Sequence, residues 1–416
     1  MPVLEKITTG WQDFRSKMQL FADPSITTMP SSLAIPCPHF AAQHCTSCRW
    51  LDRTYVQQLA AKQLALKSLL ADFVVHEWCE PVPSPLQGFR NKAKMVVLGA
   101  AHAPILGIMG AEGKPLSLTD CPLYPVPMQA LLQRLEGWIQ QAGLPPYRLD
   151  KQKGELKYIL LTHSRLHDQY LLRFVLRSEQ AIPRIQANLP LLLADFPNIT
   201  VISANIQPVH MAILEGKQEI FLSAAKHLPE QFNDVPLSIR PKSFFQTNPI
   251  VAAKLYQTAR EWTQALQPTV IWDLFCGVGG FGLHCASTDT QLTGIEIEAE
   301  AIACARNSAQ ALHLKHVNFL ALDSNQFQPN AEHKPELVIV NPPRRGLGME
   351  LVTQLATLNP AAILYSSCNA LTLAQDLPQL KNYQIKRVQL FDMFAHTEHF
   401  ETLVLLTHYS SPPHKE

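Results

Sequence analysis

The sequence predicts an α/β protein: a C-terminal Rossmann-like domain, an α+β middle domain before it and an N-terminal cysteine knuckle. Three observations carry this. From Gln246 onward helical and strand patterns alternate, as in a doubly wound, mostly parallel sheet. An apolar strand runs into four closely spaced glycines, Gly277, Gly279, Gly280 and Gly282. Three cysteines, Cys37, Cys45 and Cys48, fall within twelve residues. The 416 residues allow two or three domains at roughly 100–200 residues each. With 47% hydrophobic residues and a net charge of +1, the chain is too apolar and too weakly charged to be disordered. No stretch reaches the ~18 apolar residues of a membrane span.

Four segments follow in order. Residues 1–36 read as an extension with a short helix over 11–21. Glu5, Lys6, Asp13, Arg15 and Lys17 interrupt any apolar run, so no secretory signal is expected. A cytoplasmic location and reduced thiols follow. Residues 37–87 hold the knuckle, a helix over 52–70 whose apolar and Ala positions recur at helical spacing, and a proline-rich loop over 81–87. Residues 88–235 read as the α+β domain, with strands at 94–98, 158–162, 170–176 and 218–222 and helices at 127–141 and 183–193. Residues 236–416 carry helices at 251–265 and 298–312 and strands at 270–275, 291–297, 337–340 and 362–366.

Net charge hides an asymmetry. Residues 1–242 carry 24 Lys and Arg against 19 Asp and Glu; the remainder carry 11 against 15. Arg90, Lys92, Lys94, Lys151, Lys153, Lys157, Arg165, Arg173 and Arg177 cluster within 88–177. A basic middle beside an acidic C-terminal domain suits a polyanion, and equally suits an ordinary solvated surface.

The glycine turn permits close approach of a ligand to the backbone. Glu296 ends the next strand, where an acidic residue can hydrogen-bond a ribose diol. Both NAD and S-adenosylmethionine (SAM) carry such a ribose, and the glycine spacing excludes neither. Asn341-Pro342-Pro343 after the next strand decides for SAM, because it resembles the [DN]-P-P segment of SAM-dependent methyltransferases. Arg344 and Arg345 follow it instead of the aromatic residue of amino-methylating members, which argues against N-methylation. Cys368 follows the strand at 362–366. Uracil C5 is a poor nucleophile until a thiolate adds at C6, so a strand-end cysteine suits C5 methylation. Removal of the C5 proton then needs a base, and His396, Glu398, His399 and Glu401 all qualify by spacing. Cys79, Cys276, Cys285 and Cys304 read as packing residues.

These segments, with Phe244-Phe245-Gln246-Thr247-Asn248, Phe89–Met95 and Asn205–His210, resemble the RNA 5-methyluridine methyltransferases from Cys37 to about Leu406. The resemblance implies Cys368 as nucleophile and Glu401 as base. It implies SAM contacts at Gln246, Phe275, Glu296 and Asn341. Ala395 stands where the family commonly has Pro. It further implies 23S rRNA as partner, with uridine 747 as target. No membrane and no obligate protein partner are expected, and the enzyme is expected to be a monomer. Other uridines of 23S rRNA or tRNA are alternatives. From another class, so is a non-catalytic iron–sulfur RNA-binding protein.

Four thiolates, Cys37, Cys45, Cys48 and the distant Cys121, can hold zinc or a [4Fe-4S] cluster. The spacing and the Pro after Cys121 are more typical of a cluster, and the resemblance implies [4Fe-4S] on these four. Zinc, with His39 or His44 assisting, and no metal at all are the alternatives.

Overall fold

The computed structural model describes residues 33–324 and 334–409. The helix expected over 11–21 lies outside them. The first ordered segments are a short helix, α1 (Pro38–Ala41), and α2 (Tyr55–Leu69). Thr54 starts α2 through a capping box: its hydroxyl accepts the Gln57 amide, and the Gln57 side chain accepts the Thr54 amide. Strand β1 (Val75–Trp78) follows.

The middle domain contains β2 (Lys92–Ala100), β3 (Ala103–Met109), β4 (Pro115–Ser117), α3 (Val126–Gln141), β5 (Leu156–Ser164), β6 (Gln169–Leu176), α4 (Ile182–Asp195), β7 (Ile199–Ile206) and β8 (Gln218–Phe221). Its seven strands run in the order β4-β3-β2-β5-β6-β7-β8. Only β6 and β7 pair in parallel, because α4 carries the chain back between them. Met128, Leu131, Leu135 and Trp138 of α3 and Ile185 and Leu192 of α4 pack on Ile159, Leu161 and Phe174 of the sheet.

A hairpin, β9 (Leu228–Phe232) and β10 (Val235–Ile239), leads to α5 (Pro249–Gln264). Asn248 caps α5 by accepting the Val251 amide, and Pro249 occupies its first turn. Then come β11 (Val270–Leu274), α6 (Gly280–Cys285), β12 (Gln291–Glu296), α7 (Ala299–Ala311), β13 (Val317–Ala321), β14 (Leu337–Val340), α8 (Gly348–Leu358), β15 (Ala362–Ser367), α9 (Ala370–Asp376), β16 (Tyr383–Phe391) and β17 (Glu401–His408). The sheet order is β1-β16-β17-β15-β14-β11-β12-β13. β17 runs antiparallel to both neighbours, and every other pair is parallel.

Alternation in β11 and β14 sorts their side chains onto two faces. Ile271, Leu337 and Ile339 meet α5, α7 and the β9–β10 hairpin on one face. Trp272, Leu274, Val338 and Val340 meet α8, α9, Leu66 of α2 and Leu70 just after it on the other. The helix and strand that follow the knuckle thus build onto the C-terminal sheet, β1 pairing with β16. No helix among the described residues is long and apolar enough to cross a membrane.

Candidate active site

The strands of a doubly wound sheet end in loops at one edge, and the expected site residues gather there. Phe275 follows β11, Glu296 ends β12 and Asn341 follows β14, on three adjacent strands. Phe275 has φ +63°, and Gly277 and Gly279 follow at +54° and +85°. A bulky non-glycine residue is uncommon in this region, so the packing around the turn must hold it there. A Cβ added at Gly277 would meet nothing within 4 Å, so the turn borders open space. At Gly280 an added Cβ would lie 2.6 Å from the Tyr256 hydroxyl, so glycine is required there for packing.

The Glu296 carboxylate is half-buried and accepts the amides of Gly277 (3.2 Å) and Glu298 (3.1 Å), which orients it across the turn. Gln246 is buried and hydrogen-bonds the Tyr256 hydroxyl from the segment entering α5. Asp273 is buried; one oxygen accepts the Gly282 amide at 2.8 Å and the other has no partner among the described residues. Burial pushes its carboxyl up to about 7.

Cys368 lies half-buried just past β15. Because β17 is antiparallel to β15, with Ser367 opposite Thr402, the start of β17 brings Glu401 beside Cys368. Glu401 is buried, and Ser366 Oγ donates to its Oε1 at 2.7 Å. Burial pushes its carboxyl up to about 7, against the lowering effect of the Ser366 bond. Burial, then Glu401, raise the Cys368 thiol, while the Arg344 guanidinium, hydrogen-bonded to it, lowers it. Arg344 comes from the loop after β14, where its carbonyl accepts Asn369 Nδ2 at 2.9 Å. Arg344, Cys368, Asn369, Glu398 and His399 line a pocket of about 20 Å³.

The four candidates for the base separate by environment. The His396 Nε2 donates to the Leu86 carbonyl (2.9 Å) and burial lowers its pKa. Its ring is occupied by structure. Glu398 and His399 line the cleft, but Glu401 is the carboxylate that raises Cys368 electrostatically. Sequence reasoning missed Arg344 as a partner of Cys368 and Ser366 as a partner of Glu401. The Arg344-Arg345 pair was visible, but nothing in one dimension aims it at the thiol.

A second buried constellation holds the loop that leads into Glu401. Lys62 Nζ donates to Asp392 Oδ1 (2.6 Å) and to the Phe394 carbonyl (3.1 Å), with Lys62 and Asp392 fully buried. Tyr55 donates to Asp392 Oδ2 at 2.8 Å. Gln58 accepts the His396 amide at 2.9 Å, and Trp50 donates its amide to the His396 carbonyl at 3.0 Å.

Cys37, Cys45, Cys48 and Cys121 line one cavity of about 380 Å³, with Arg90, Lys94 and the 394–399 segment in its walls. Burial and the facing cysteines push the Cys48 thiol up to about 12. No group of three or more His, Cys, Asp or Glu among the described residues is arranged to hold a metal ion. Cys276, Cys285 and Cys304 are buried and Cys79 half-buried, as expected of packing residues. The basic cluster of the middle domain is thinner than its sequence. Arg173 is buried between Glu219 (2.5 Å) and Glu215 (3.1 Å), Arg177 pairs with Glu155 (2.8 Å), and Lys157 is buried against Gln207. Lys94, Lys151, Lys153 and Arg165 remain exposed.

Residues 225–409 match the family model described as tRNA (Uracil-5-)-methyltransferase. A 23S rRNA (uracil(747)-C(5))-methyltransferase RlmC from Shewanella halifaxensis is 61% identical over 89% of this chain and 98% of its own length. The protein of the same name from Shewanella loihica is 62% identical over the same shares. Among solved structures, the Pyrococcus abyssi tRNA (uracil-54, C5)-methyltransferase in complex with S-adenosyl-L-homocysteine superposes with a TM-score of 0.72. It is 26% identical and covers 88% of this chain and 86% of its own. With relatives this similar over nearly their whole length, the chain belongs to the SAM-dependent RNA uracil-C5 methyltransferases.

Proposed function

We propose that the protein methylates C5 of a uridine in 23S rRNA, uridine 747 by likeness to its relatives, through a covalent Cys368 adduct. The observation that carries the reading is a thiol and a buried carboxylate on adjacent strand ends at the cofactor edge of the sheet. Relatives named for this activity at about 60% identity support the substrate.

Gln246, Phe275, Glu296 and Asn341 would hold SAM, with Glu296 facing the ribose. When bound, SAM would supply an electrophilic methyl group and depart as S-adenosyl-L-homocysteine. Arg344 favours the Cys368 thiolate against its burial. The thiolate adds to C6 and delivers electron density to C5, which takes the methyl group. Glu401 then removes the C5 proton, and the thiolate leaves as the C5–C6 double bond reforms. The Cys368 pocket has room for about one water. A uracil that leaves its stack to reach Cys368 must therefore widen this pocket on entering. Labelled methyl transfer from SAM to 23S rRNA of a strain lacking the enzyme, with the nucleotide mapped, tests the reading. Label on a tRNA uridine alone would overturn the substrate.

The pH dependence follows from Glu401. A base must be ionised, so tritium release from [5-³H]uridine RNA should rise as pH passes about 7. Ser366→Ala removes the hydrogen bond that favours the carboxylate. The rising limb should move to higher pH by about one unit, the worth of a hydrogen bond to a charged group. An unmoved limb would assign the titration elsewhere.

The four knuckle cysteines would hold a [4Fe-4S] cluster. Their shared cavity is large for one ion, and cluster corners stand further apart than the ligands of a single zinc. Arg90 and Lys94 in its walls suit the negative charge of four thiolates. Anaerobically purified protein should contain iron and acid-labile sulfide in equal amounts. Stoichiometric zinc without sulfide would replace the cluster with a zinc site.

The domain division expected from sequence then becomes a proposal about roles: an extension over 1–36, a cluster segment over 37–87, an RNA-binding middle over 88–235 and a catalytic domain over 236–416.

A further inference from the structure

We propose that Arg49, at the end of the cysteine knuckle, and Arg344 clamp one backbone phosphate of the RNA beside the uridine being modified. The proposal rests on Cys368 being the nucleophile and adds a substrate contact outside its pocket.

A polar cleft of about 400 Å³ opens next to the Cys368 pocket. Thr46, Ser47 and Arg49 of the knuckle form one wall; Arg344, Glu398 and His399 form the other. The last three also line the Cys368 pocket, so the two spaces share a wall. A nucleotide flipped to reach Cys368 must trail its phosphodiester through this mouth.

The chemistry of the cleft suits a phosphate. Two guanidiniums face it with two hydroxyl donors, and a guanidinium fork matches phosphate oxygens. Arg344 spends part of its donor set on Cys368 and has five donors to share. The Arg49 side chain is 57% exposed, and its nearest carboxylate, Glu398, lies 4.0 Å away, the outer limit of an ion pair. Such a pair contributes little in water and yields readily to a phosphate. Glu398 keeps a second polar neighbour, the His399 ring at 3.9 Å, when Arg49 turns to the RNA.

The knuckle wall is also fixed in place. The Trp50 amide donates to the His396 carbonyl at 3.0 Å, and the Ala111 amide donates to the His44 carbonyl at 3.1 Å. These bonds bracket residues 45–49 between the catalytic loop and the middle sheet. Arg49 therefore meets the RNA from a preorganised position, at low ordering cost. The knuckle becomes a wall of the substrate site as well as a cluster holder.

The test measures binding of an unmethylated RNA hairpin containing the target uridine to full-length protein, without SAM, over a range of salt. Arg49→Gln should weaken binding on the order of fivefold. It should also flatten the slope of log Kd against log salt by about 0.7–1, one phosphate contact. Arg49→Lys should recover most of the slope. In turnover, Arg49→Gln should raise KM for RNA and leave kcat and KM for SAM unchanged. Replacing the phosphate next to the uridine by neutral methylphosphonate should weaken wild-type binding more than Arg49→Gln binding, which keeps only the Arg344 contact to lose. An unchanged salt slope in Arg49→Gln, or equal weakening of both proteins by methylphosphonate, overturns the clamp. Because this binding needs no chemistry, a failure of methyl transfer to 23S rRNA would count against the functional reading and leave the clamp result standing.

Discussion

Cys368→Ala is expected to bind SAM with unchanged affinity and to lose at least about 10⁴-fold in turnover, the scale seen when a covalent nucleophile is removed. The side chain is small and half-buried, so the fold should tolerate the change. Glu401→Gln should behave differently. It preserves shape and the Ser366 contact (2.7 Å) but cannot take the C5 proton. Methyl transfer should proceed once and stop with the RNA still attached to Cys368, visible as a slow-migrating species on a denaturing gel. The double variant should form no adduct. Normal methylation by Cys368→Ala would remove the covalent route. An adduct that accumulates in Glu398→Gln and not in Glu401→Gln would transfer the base role to Glu398.

Lys62→Met should cost about 3–5 kcal/mol of stability, because it strands Asp392 as an unpaired charge in a fully buried place. Burial already pulls the Lys62 ammonium below its usual range, and Asp392 opposes that shift. Tyr55 would be left as the hydroxyl donor to Asp392. The partner change Lys62→Met with Asp392→Leu replaces both charges with apolar groups and should recover most of the loss. Denaturant titrations of the three variants check this. A cost below about 1 kcal/mol for the single variant would show the pair to be no more than a surface-type bridge. The pair joins α2 to the loop ahead of Glu401, so loss of stability there should also lower kcat.

Much of the C-terminal domain was legible because its signals are local. The run at 337–340 is apolar on both faces and became a fully buried parallel strand. The helix expected over 251–265 became α5, one or two residues earlier, where the Asn248 cap sets its start. The strand expected over 94–98 is longer, Lys92–Ala100, because pairing with β3 and β5 extends it through Lys92 and Gly99. Other strands escaped notice. β16 carries Lys386 and Arg387 and weaves half-buried positions into an apolar pattern. β1 has Val75-His76-Glu77-Trp78, with no apolar run at all, and is a strand only because β16 offers an edge.

The sequence by itself determined the chemistry available: a glycine turn after an apolar strand, an acidic strand end, a strand-end thiol, four titratable groups in one motif and four cysteines split across eighty-odd residues. Each is a local arrangement, and local backbone preference is what a sequence encodes directly. The tertiary structure decided which groups meet. Antiparallel insertion of β17 selects Glu401 for Cys368, because register fixes which residue faces which across a sheet. The loop after β14 aims Arg344 at the thiol, and the fold closes Cys121 onto a knuckle more than seventy residues earlier. It also takes much of the basic cluster out of play by pairing it internally, and brings Arg49 to the mouth of the site instead. Charge and nucleophilicity belong to residue types; their direction and burial depend on long-range packing, which no single stretch of chain contains.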